Sequence, residues 1–301
     1  MRKKSKKRNK MIGVALVIIV LLFGIITVKF IQYEKIIEDT ERTWLITQYG
    51  PRDVNSMFYT LYGGKGQLIV VDGGWTEDAD FVRQTIKEMG GKVDAWILTH
   101  PHQDHIGAFN AIYSDLQGIE IKEVYTVDMP SPKLCQERAH WDSVDTYNDF
   151  LDVKNLKYVY PGDELNICGL KVDIYNAYDE HVKELSQDYL NDGSMMFKVQ
   201  GEKSSMLFCA DVGKAMSDYL LDTWGEKLKA DYIQMGHHGN GGLLKDFYEE
   251  VSPKLAFFDA PDWLMYDETG KYTTPENAKE MESLGSEVVS FHTQPNTVSI
   301  E

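Results

Sequence analysis

The chain has 301 residues, 43% of them hydrophobic, and a formal net charge of −16. Residues 1–10 hold seven basic side chains and no acid, so removing these seven positive charges from the total leaves −23 on the rest. Such an acidic body repels polyanions at long range, which argues against a general DNA or RNA binder. The alternating apolar runs and turns also exclude a disordered chain.

The N-terminus has the pattern of a membrane anchor. Residues 11–28 carry no charge, and as a helix they would reach ~27 Å, close to the ~30 Å hydrocarbon core of a bilayer. We expect a transmembrane anchor at 11–31 and a basic cytoplasmic tail at 1–10, with the body outside the cell because positive charge stays inside. The alternative is secretion after signal cleavage, although no small-x-small cleavage site follows the apolar run.

A short linker is predicted at 32–43, followed by one large domain at 44–301. The domain should begin with strands at Trp44–Gln48, 56–62 and 67–72, the last two joined by a glycine-rich hairpin turn. Helical spacing follows at 77–89, then a short apolar strand at 95–99. Further helices are predicted from about Ile106 to Ser114 and over 136–153.

The second half of the domain has a similar order of predicted strands and helices. Strands are predicted at 170–175, 194–200, 204–210, 232–235 and 255–258, and helices at 214–224, 243–250 and 275–284. Each half therefore opens with antiparallel strands and closes with α/β units. This order predicts an α/β fold of two sheets packed face to face, with helices outside.

The segment Thr-His-Pro-His-Gln-Asp-His at 99–105 carries the clearest chemical signal. In an extended backbone, side chains at i, i+2 and i+4 point the same way, so His100, His102 and Asp104 should converge. His105 follows at the turn into the next helix. Three imidazoles and a carboxylate within six residues would cost desolvation without a ligand, so the cluster predicts a metal site.

This His-x-His-x-Asp-His pattern after a strand resembles the signature of the metallo-β-lactamase superfamily. Upstream, 56–74 resembles the opening hairpin and Asp-Gly turn of that family. Downstream, Leu-Phe-Cys-Ala-Asp at 207–211 resembles its metal-bridging strand, and Met-Gly-His-His-Gly at 235–239 resembles its late histidine motif. The resemblance implies a four-layer αβ/βα sandwich over 44–301. Within that family, the His-His-Gly form resembles the hydrolase domain of competence proteins, and the spacing and flanks resemble teichoic acid phosphorylcholine esterases.

The resemblance also implies a ligand set for two divalent ions, zinc by default, with manganese or iron also compatible. His100 and His102 would hold metal one, Asp104 and His105 metal two, and Asp211 would bridge them. Either His237 or His238 completes metal two. The esterase-like spacing favours His238, which leaves His237 as a neighbouring or substrate-facing group and, with Asp104, a candidate catalytic residue.

One departure from the family pattern concerns metal one. Many relatives supply a third histidine between the first motif and the bridging aspartate, and here that interval holds only His140 and His181. Neither stands in a favourable context, so metal one is expected to keep an open face for water or substrate.

Weaker candidates surround this set. Asp72 could accept a hydrogen bond from a ligand histidine and fix its tautomer, or it could be a plain turn residue. Asn240 could donate to a substrate oxygen. Four aromatic residues could line a substrate cleft, with core packing as the alternative: Trp75, Trp141, Trp263 and Tyr266.

The sequence therefore predicts a membrane-anchored, metal-dependent hydrolase acting on a small-molecule or cell-envelope phosphoester, most directly a phosphodiester. The choice of phosphoester follows from the subfamily resemblance alone. A lactonase or β-lactamase-like amide hydrolase would use the same metals. A non-catalytic metal- or partner-binding ectodomain is the alternative from another class, and the completeness of the motif set argues against it.

Overall fold

Two seven-stranded β-sheets form the centre of the computed structural model, which describes residues 42–50, 53–291 and 295–301. The basic tail at 1–10, the anchor at 11–31 and residues 32–41 of the linker predicted at 32–43 lie outside the described residues. Within the described ranges, no helix has the length and apolar character needed to cross a bilayer.

The first sheet has the strand order β16-β1-β2-β3-β5-β7-β8. It is antiparallel from β16 to β3 and parallel from β3 to β8. A separate two-stranded ladder pairs β4 with β6. The strands of this half are β1 (Trp44–Gln48), β2 (Phe58–Gly63), β3 (Leu68–Asp72), β4 (Lys92–Val93), β5 (Ala95–Ile97), β6 (Glu120–Ile121), β7 (Val124–Val127) and β8 (Leu156–Val159), with β16 (Asn296–Ile300) returning from the C-terminus.

The second sheet repeats this change of direction, antiparallel from β9 to β12 and parallel from β12 to β15. Its spatial order is β15-β14-β13-β12-β11-β10-β9. The strands are β9 (Glu164–Ile167), β10 (Leu170–Asn176), β11 (Met196–Gln200), β12 (Ser205–Phe208), β13 (Tyr232–Gln234), β14 (Leu255–Phe258) and β15 (Glu287–Ser290).

Helices cover the outer faces of both sheets. They are α1 (Ala79–Glu88), α2 (Gln103–Ser114), α3 (Pro132–Arg138), α4 (Asp145–Phe150), α5 (Glu180–Leu185), α6 (Tyr189–Asp192), α7 (Ser217–Trp224), α8 (Lys245–Val251), α9 (Asp262–Met265) and α10 (Thr274–Ser283). Short 3-10 turns lie at Thr76–Asp78, Lys214–Met216, Gly225–Leu228 and Gly236–Gly239.

Strand β3 explains how the layers are held together. All five of its residues are buried, because alternate side chains enter two different cores. Ile69 and Val71 face the core between the sheets, whereas Leu68 and Val70 pack in the core beneath the helices. The predicted two-sheet α/β sandwich is confirmed.

The predicted helix at 136–153 is wrong. Ser131 caps a helix that begins earlier, with Pro132 at its first position, and α3 has ended by Ala139. A turn follows, in which the Asp142 amide donates to the Ala139 carbonyl at 3.0 Å, and α4 begins only at Asp145. Trp141 consequently lies on the turn and is 62% exposed.

Candidate metal centre

The predicted ligands meet where the central strands of the two sheets end. Asp72 is the last residue of β3, and the His100 segment follows β5. Asp211 comes shortly after β12, and the His237-His238 turn follows β13. Carboxyl ends of parallel strands share one edge of a sheet, so this edge collects the ligands from segments far apart in the chain.

The 99–105 segment is not one extended run, which corrects the expectation that His100, His102 and Asp104 converge by strand alternation. Strand β5 ends at Ile97, and α2 begins at Gln103, three residues earlier than predicted. His102 is the extended N-cap residue, with φ −77° and ψ 156°. Asp104 therefore lies in the first turn of α2, where the positive end of the helix dipole favours a carboxylate.

The side chains form two groups that fit the metal-ligand division expected from the resemblance. One consists of His100, His102 and Asp211, and the other of Asp104, His105 and His238. Within each group one ligand atom per residue lies within 4.8 Å of the others.

Asp211 belongs to the first group and also contacts residues of the second. Its Oδ1 is 3.3 Å from His105 Nε2, and its Oδ2 is 3.9 Å from His100 Nε2. On the other side, His238 Nε2 is 3.2 Å from Asp104 Oδ2 and 3.5 Å from Asp211 Oδ2. His237 is not in either group: its side chain is 38% exposed, and its Nε2 is 3.9 Å from Asp211 Oδ2.

Unpaired buried atoms provide a test of whether the residues fit a metal. His105 Nε2, Asp211 Oδ1 and His238 Nε2 are buried and have no hydrogen-bond partner among the described residues. Leaving a buried polar atom unpaired costs about 1–3 kcal/mol. His105 Nε2 lies 3.3 Å from Asp211 Oδ1, and His238 Nε2 lies 3.2 Å from Asp104 Oδ2. Imidazole nitrogen with carboxylate oxygen is a donor set that suits zinc, manganese or iron. The residues present fit two metal ions.

The charges in the site are strongly coupled. Burial would raise the pKa of Asp104, but His238 and His105 lower it to about 2. Burial likewise opposes ionisation of Asp211, yet His105 and His238 hold its pKa well below the usual value. The two carboxylates are therefore ionised at neutral pH and form a negative centre for cations.

The histidines respond to these carboxylates. Burial lowers the pKa of His238, but Asp211 and Asp104 outweigh it and raise the value to about 10. The pKa of His105 is also well above its usual value, through Asp211 and Asp72 acting against burial. Protons and metal ions therefore compete for the same nitrogens.

Outer partners hold several ligands in place. Asp72 is fully buried, and its Oδ2 lies 2.8 Å from His105 Nδ1. Of the two predicted roles for Asp72, this contact fits the one in which it orients a ligand histidine. Its two carboxyl oxygens also accept from the Thr99 amide at 2.8 Å and the Thr99 hydroxyl at 2.7 Å. Asn55 donates its side-chain amide to Asp104 Oδ2 at 2.6 Å. A carboxylate behind a histidine fixes which nitrogen faces the metal.

Two left-handed turns place Asp211 and His238. Ala210 has φ 47°, and His237 and His238 have φ 51° and 57°, conformations that cost energy for residues other than glycine. The His237 amide donates to the Ala210 carbonyl at 2.8 Å, which joins the turns directly. Packing of the two strand ends thus maintains backbone conformations that bring both side chains to the centre.

The remaining sequence candidates are more dispersed. Neither His140 nor His181 belongs to a ligand group among the described residues; the His181 ring stacks on Tyr219 instead. Asn240 Oδ1 accepts from the Thr273 amide at 3.1 Å, which gives this side chain a role in its own loop.

Two of the four aromatic candidates donate hydrogen bonds to loop carbonyls. The indoles of Trp75 and Trp263 donate to the carbonyls of Asn55 and Asp53, at 2.7 and 2.8 Å. Tyr266 is 61% exposed.

Two residues near the ligands were missed by the sequence analysis. Asn55 precedes the hairpin, and Asp142 Oδ2 lies 3.4 Å from His102 Nε2. Neither stands in a motif, and both reach the site through loops whose paths no local pattern predicts.

Comparison with known proteins agrees with this geometry. Residues 49–134 match the family model of the metallo-beta-lactamase superfamily. RNase aCSPSF2 of Saccharolobus solfataricus is 24% identical over 217 residues, 67% of this chain and 41% of that protein. ComE operon protein 3 of Bacillus subtilis is 25% identical over 174 residues, 56% of this chain and 20% of that protein. The chain therefore spans less than half the length of either relative.

The fold has a solved counterpart in the metallo-beta-lactamase fold protein YhfI from Bacillus subtilis. Its crystal structure matches with a TM-score of 0.55 at 12% identity, over 85% of this chain and 99% of that one. At this identity the likeness speaks for the fold alone. The family-model match, the two-sheet sandwich and the paired His/Asp groups agree: residues 49–134 match the metallo-beta-lactamase superfamily, the chain has the two-sheet fold of its solved counterpart, and its histidine and aspartate side chains are grouped as a dinuclear metal site requires.

Proposed function

We propose that the protein is a metal-dependent hydrolase of small phosphoesters, most directly phosphodiesters, anchored to the cell membrane with its catalytic domain outside. The observation that carries the proposal is the position of Asp211, whose two oxygens face ligand nitrogens of both groups. A carboxylate shared in this way suits two ions held close together. Such a pair supports hydrolysis by activating water and stabilising the charge that develops on the substrate.

The two groups would each hold one ion. His100 and His102 would bind one and Asp104, His105 and His238 the other, with Asp211 between them. Zinc is the first choice for this donor set, and manganese or iron would also fit.

The side chains have separate tasks in the proposed reaction. Asp104 is kept ionised and is held by the Asn55 amide, so its orientation is set before substrate arrives. The His237 side chain is 38% exposed, with its Nε2 3.9 Å from Asp211 Oδ2, and in this position it could give a proton to the oxygen of the departing group. General acid assistance of this kind contributes about 10²–10⁴-fold to a rate.

The phosphoester assignment has two supports beyond the metals. The archaeal relative is named an RNase, and cleavage of RNA is cleavage of a phosphodiester. The spacing and flanks of the late histidine motif also resemble those of teichoic acid phosphorylcholine esterases. The charge of −23 outside the first ten residues disfavours long polyanions, so the proposed substrate is small or zwitterionic rather than duplex DNA or RNA.

The anchor is proposed from the sequence of residues 1–31, with seven basic residues before the uncharged run. Protease added to spheroplasts should degrade the body and leave a short membrane-bound fragment. A fully protected body would reverse the proposed orientation, and a mature chain beginning after residue 31 would replace the anchor with secretion.

The activity is tested with the full chain purified in mild detergent and loaded with zinc or manganese. Substrates are bis-p-nitrophenyl phosphate, p-nitrophenyl phosphorylcholine, duplex DNA, a lactone and a β-lactam. We expect the small diesters to be cleaved fastest and Asp211→Asn to abolish turnover. Cleavage of the lactone or lactam alone would replace the phosphoester assignment with that of an acyl hydrolase, and preferential cleavage of DNA would refute the charge argument.

A further inference from the structure

The carboxylate of Asp142 lies on the side of the His102 ring that faces away from His100. His102 Nδ1 lies 3.0 Å from His100 Nε2, on the side of the ligand group. Its Nε2 lies 3.4 Å from Asp142 Oδ2. Neither His102 Nε2 nor Asp142 Oδ2 has a hydrogen-bond partner among the described residues, and both are excluded from water. Among the described residues, no other hydrogen bond therefore competes with their contact at either atom.

The geometry of an imidazole separates the roles of these contacts. The two ring nitrogens point in different directions. An ion bound at Nδ1 and a hydrogen-bond acceptor placed in line with Nε2 therefore lie on different sides of the ring. The tautomer with its proton on Nε2 leaves Nδ1 free as a metal ligand, and a carboxylate facing Nε2 favours that tautomer.

The same arrangement already exists once in this site, with the nitrogens exchanged. Asp72 lies 2.8 Å from His105 Nδ1, which leaves His105 Nε2 facing Asp211. Asp72 is fixed by the Thr99 amide and hydroxyl. The pairing of Asp142 with His102 would do for the first ligand group what Asp72 does for the second.

The turn that carries Asp142 is anchored at both ends. Ala139 is 1% exposed and Val144 is 7% exposed, so the segment between α3 and α4 is tied to the core. The Asp142 amide also donates to the Ala139 carbonyl at 3.0 Å. A side chain on such a turn is held well enough to orient another residue.

We propose that Asp142 is a positioning residue for the metal site, which accepts a hydrogen bond from His102 Nε2–H and thereby presents Nδ1 to the ion held with His100 and Asp211. This inference depends on the proposed two-ion site and is independent of the proposed substrate.

Metal affinity provides the first test. The full chain in mild detergent is titrated with zinc against a chromogenic chelator, as wild type, Asp142→Ala, Asp142→Asn and Asp149→Ala. Asp149 is an exposed acid on α4, so its variant controls for the lost charge. We expect Asp142→Ala to weaken one of two sites by about 10–100-fold, Asp142→Asn to recover part of the loss because its carbonyl oxygen still accepts, and Asp149→Ala to match wild type.

The tautomer provides the second test, with zinc-loaded protein labelled with ¹⁵N-histidine. Wild type should show a slowly exchanging Nε2 proton, assigned to His102 by its disappearance in His102→Ala, and Asp142→Ala should lose it. If Asp142→Ala kept wild-type zinc affinity and an unchanged proton signal, the role proposed for Asp142 would be overturned, and the two-ion proposal would stand. Loss of one whole site with no recovery in Asp142→Asn would make Asp142 a direct ligand instead. Absence of bound zinc in wild type would overturn the two-ion proposal itself.

Discussion

Asp72 Oδ2 lies 2.8 Å from His105 Nδ1, and neither side chain is exposed to solvent. The pair connects the end of β3 to the first turn of α2, and it leaves His105 Nε2 directed at Asp211, 3.3 Å from its Oδ1. Orientation of this imidazole therefore depends on a strand that provides no proposed metal ligand of its own.

Replacing Asp72 with asparagine should damage the metal site selectively. The Thr99 amide needs an acceptor, so the variant's carbonyl oxygen should stay there and its NH₂ group should face His105 Nδ1–H, donor against donor. We expect affinity for one of two zinc ions to fall about 10–100-fold, measured by chelator competition. Asp94→Asn is the matched control, because Asp94 also accepts from a backbone amide, that of Leu68, but precedes β5 at the opposite sheet edge. Equal losses in both variants would indicate general destabilisation.

Metal binding should release protons near neutral pH. The pKa of His238 is raised to about 10 and that of His105 well above its usual value, so both rings carry a proton that a metal ion must displace. Zinc affinity should therefore rise with pH. Filling the two-ion centre at pH 7.5 should release about two protons, one from each ring. Calorimetry in buffers of different ionisation enthalpy measures this number. Zinc binding with no dependence on the buffer would contradict the prediction.

Asp259 should make stability depend on pH. It is fully buried with Gln48 and Tyr59, which donate to its Oδ1 at 2.8 and 2.7 Å, and burial raises its pKa from 3.8 to about 6. The folded-state pKa of Asp259 lies above the unfolded-state value. Its contribution to the free energy of unfolding is therefore fully present below pH 3.8 and is lost as pH rises through about 6.

The variant Asp259→Asn removes that titration while keeping an acceptor for Gln48 and Tyr59. Relative to wild type, its free energy of unfolding in urea should improve by roughly 2 kcal/mol between pH 4.5 and pH 7.5. A difference between the two proteins that stays constant over this range would show that Asp259 titrates normally.

The turn after His238 should tolerate no side chain at Gly239. Gly239 has φ +81°, and a Cβ there would lie 2.2 Å from Phe258 Cδ1, whereas Gly241 has φ +69° with no atom within 4 Å of an added Cβ. Gly241→Ala should cost roughly 1–2 kcal/mol for its left-handed conformation alone. Gly239→Ala should cost about 1–3 kcal/mol more through overpacking and also weaken zinc binding through His238. Similar unfolding free energies for the two variants would disprove the clash.

The sequence by itself determined many of the elements and most of the site. Apolar β-type runs bounded by turn residues predicted β1, β2 and β3 to within two residues at each end, and the His-x-His-x-Asp-His spacing identified His100, His102, Asp104 and His105 as one cluster. These signals are local, because strand period and helix capping depend on neighbouring residues.

The family resemblance had favoured Asp211 and His238, but only the tertiary structure shows how distant residues meet at the centre. Asp142 reaches His102 because a helix expected to run through it is broken, and His238 rather than His237 faces Asp104 because a left-handed turn is locked to Ala210. Both outcomes are set by packing between segments separated by many residues. No local pattern records such contacts, since their energy comes from partners that the chain brings together only on folding.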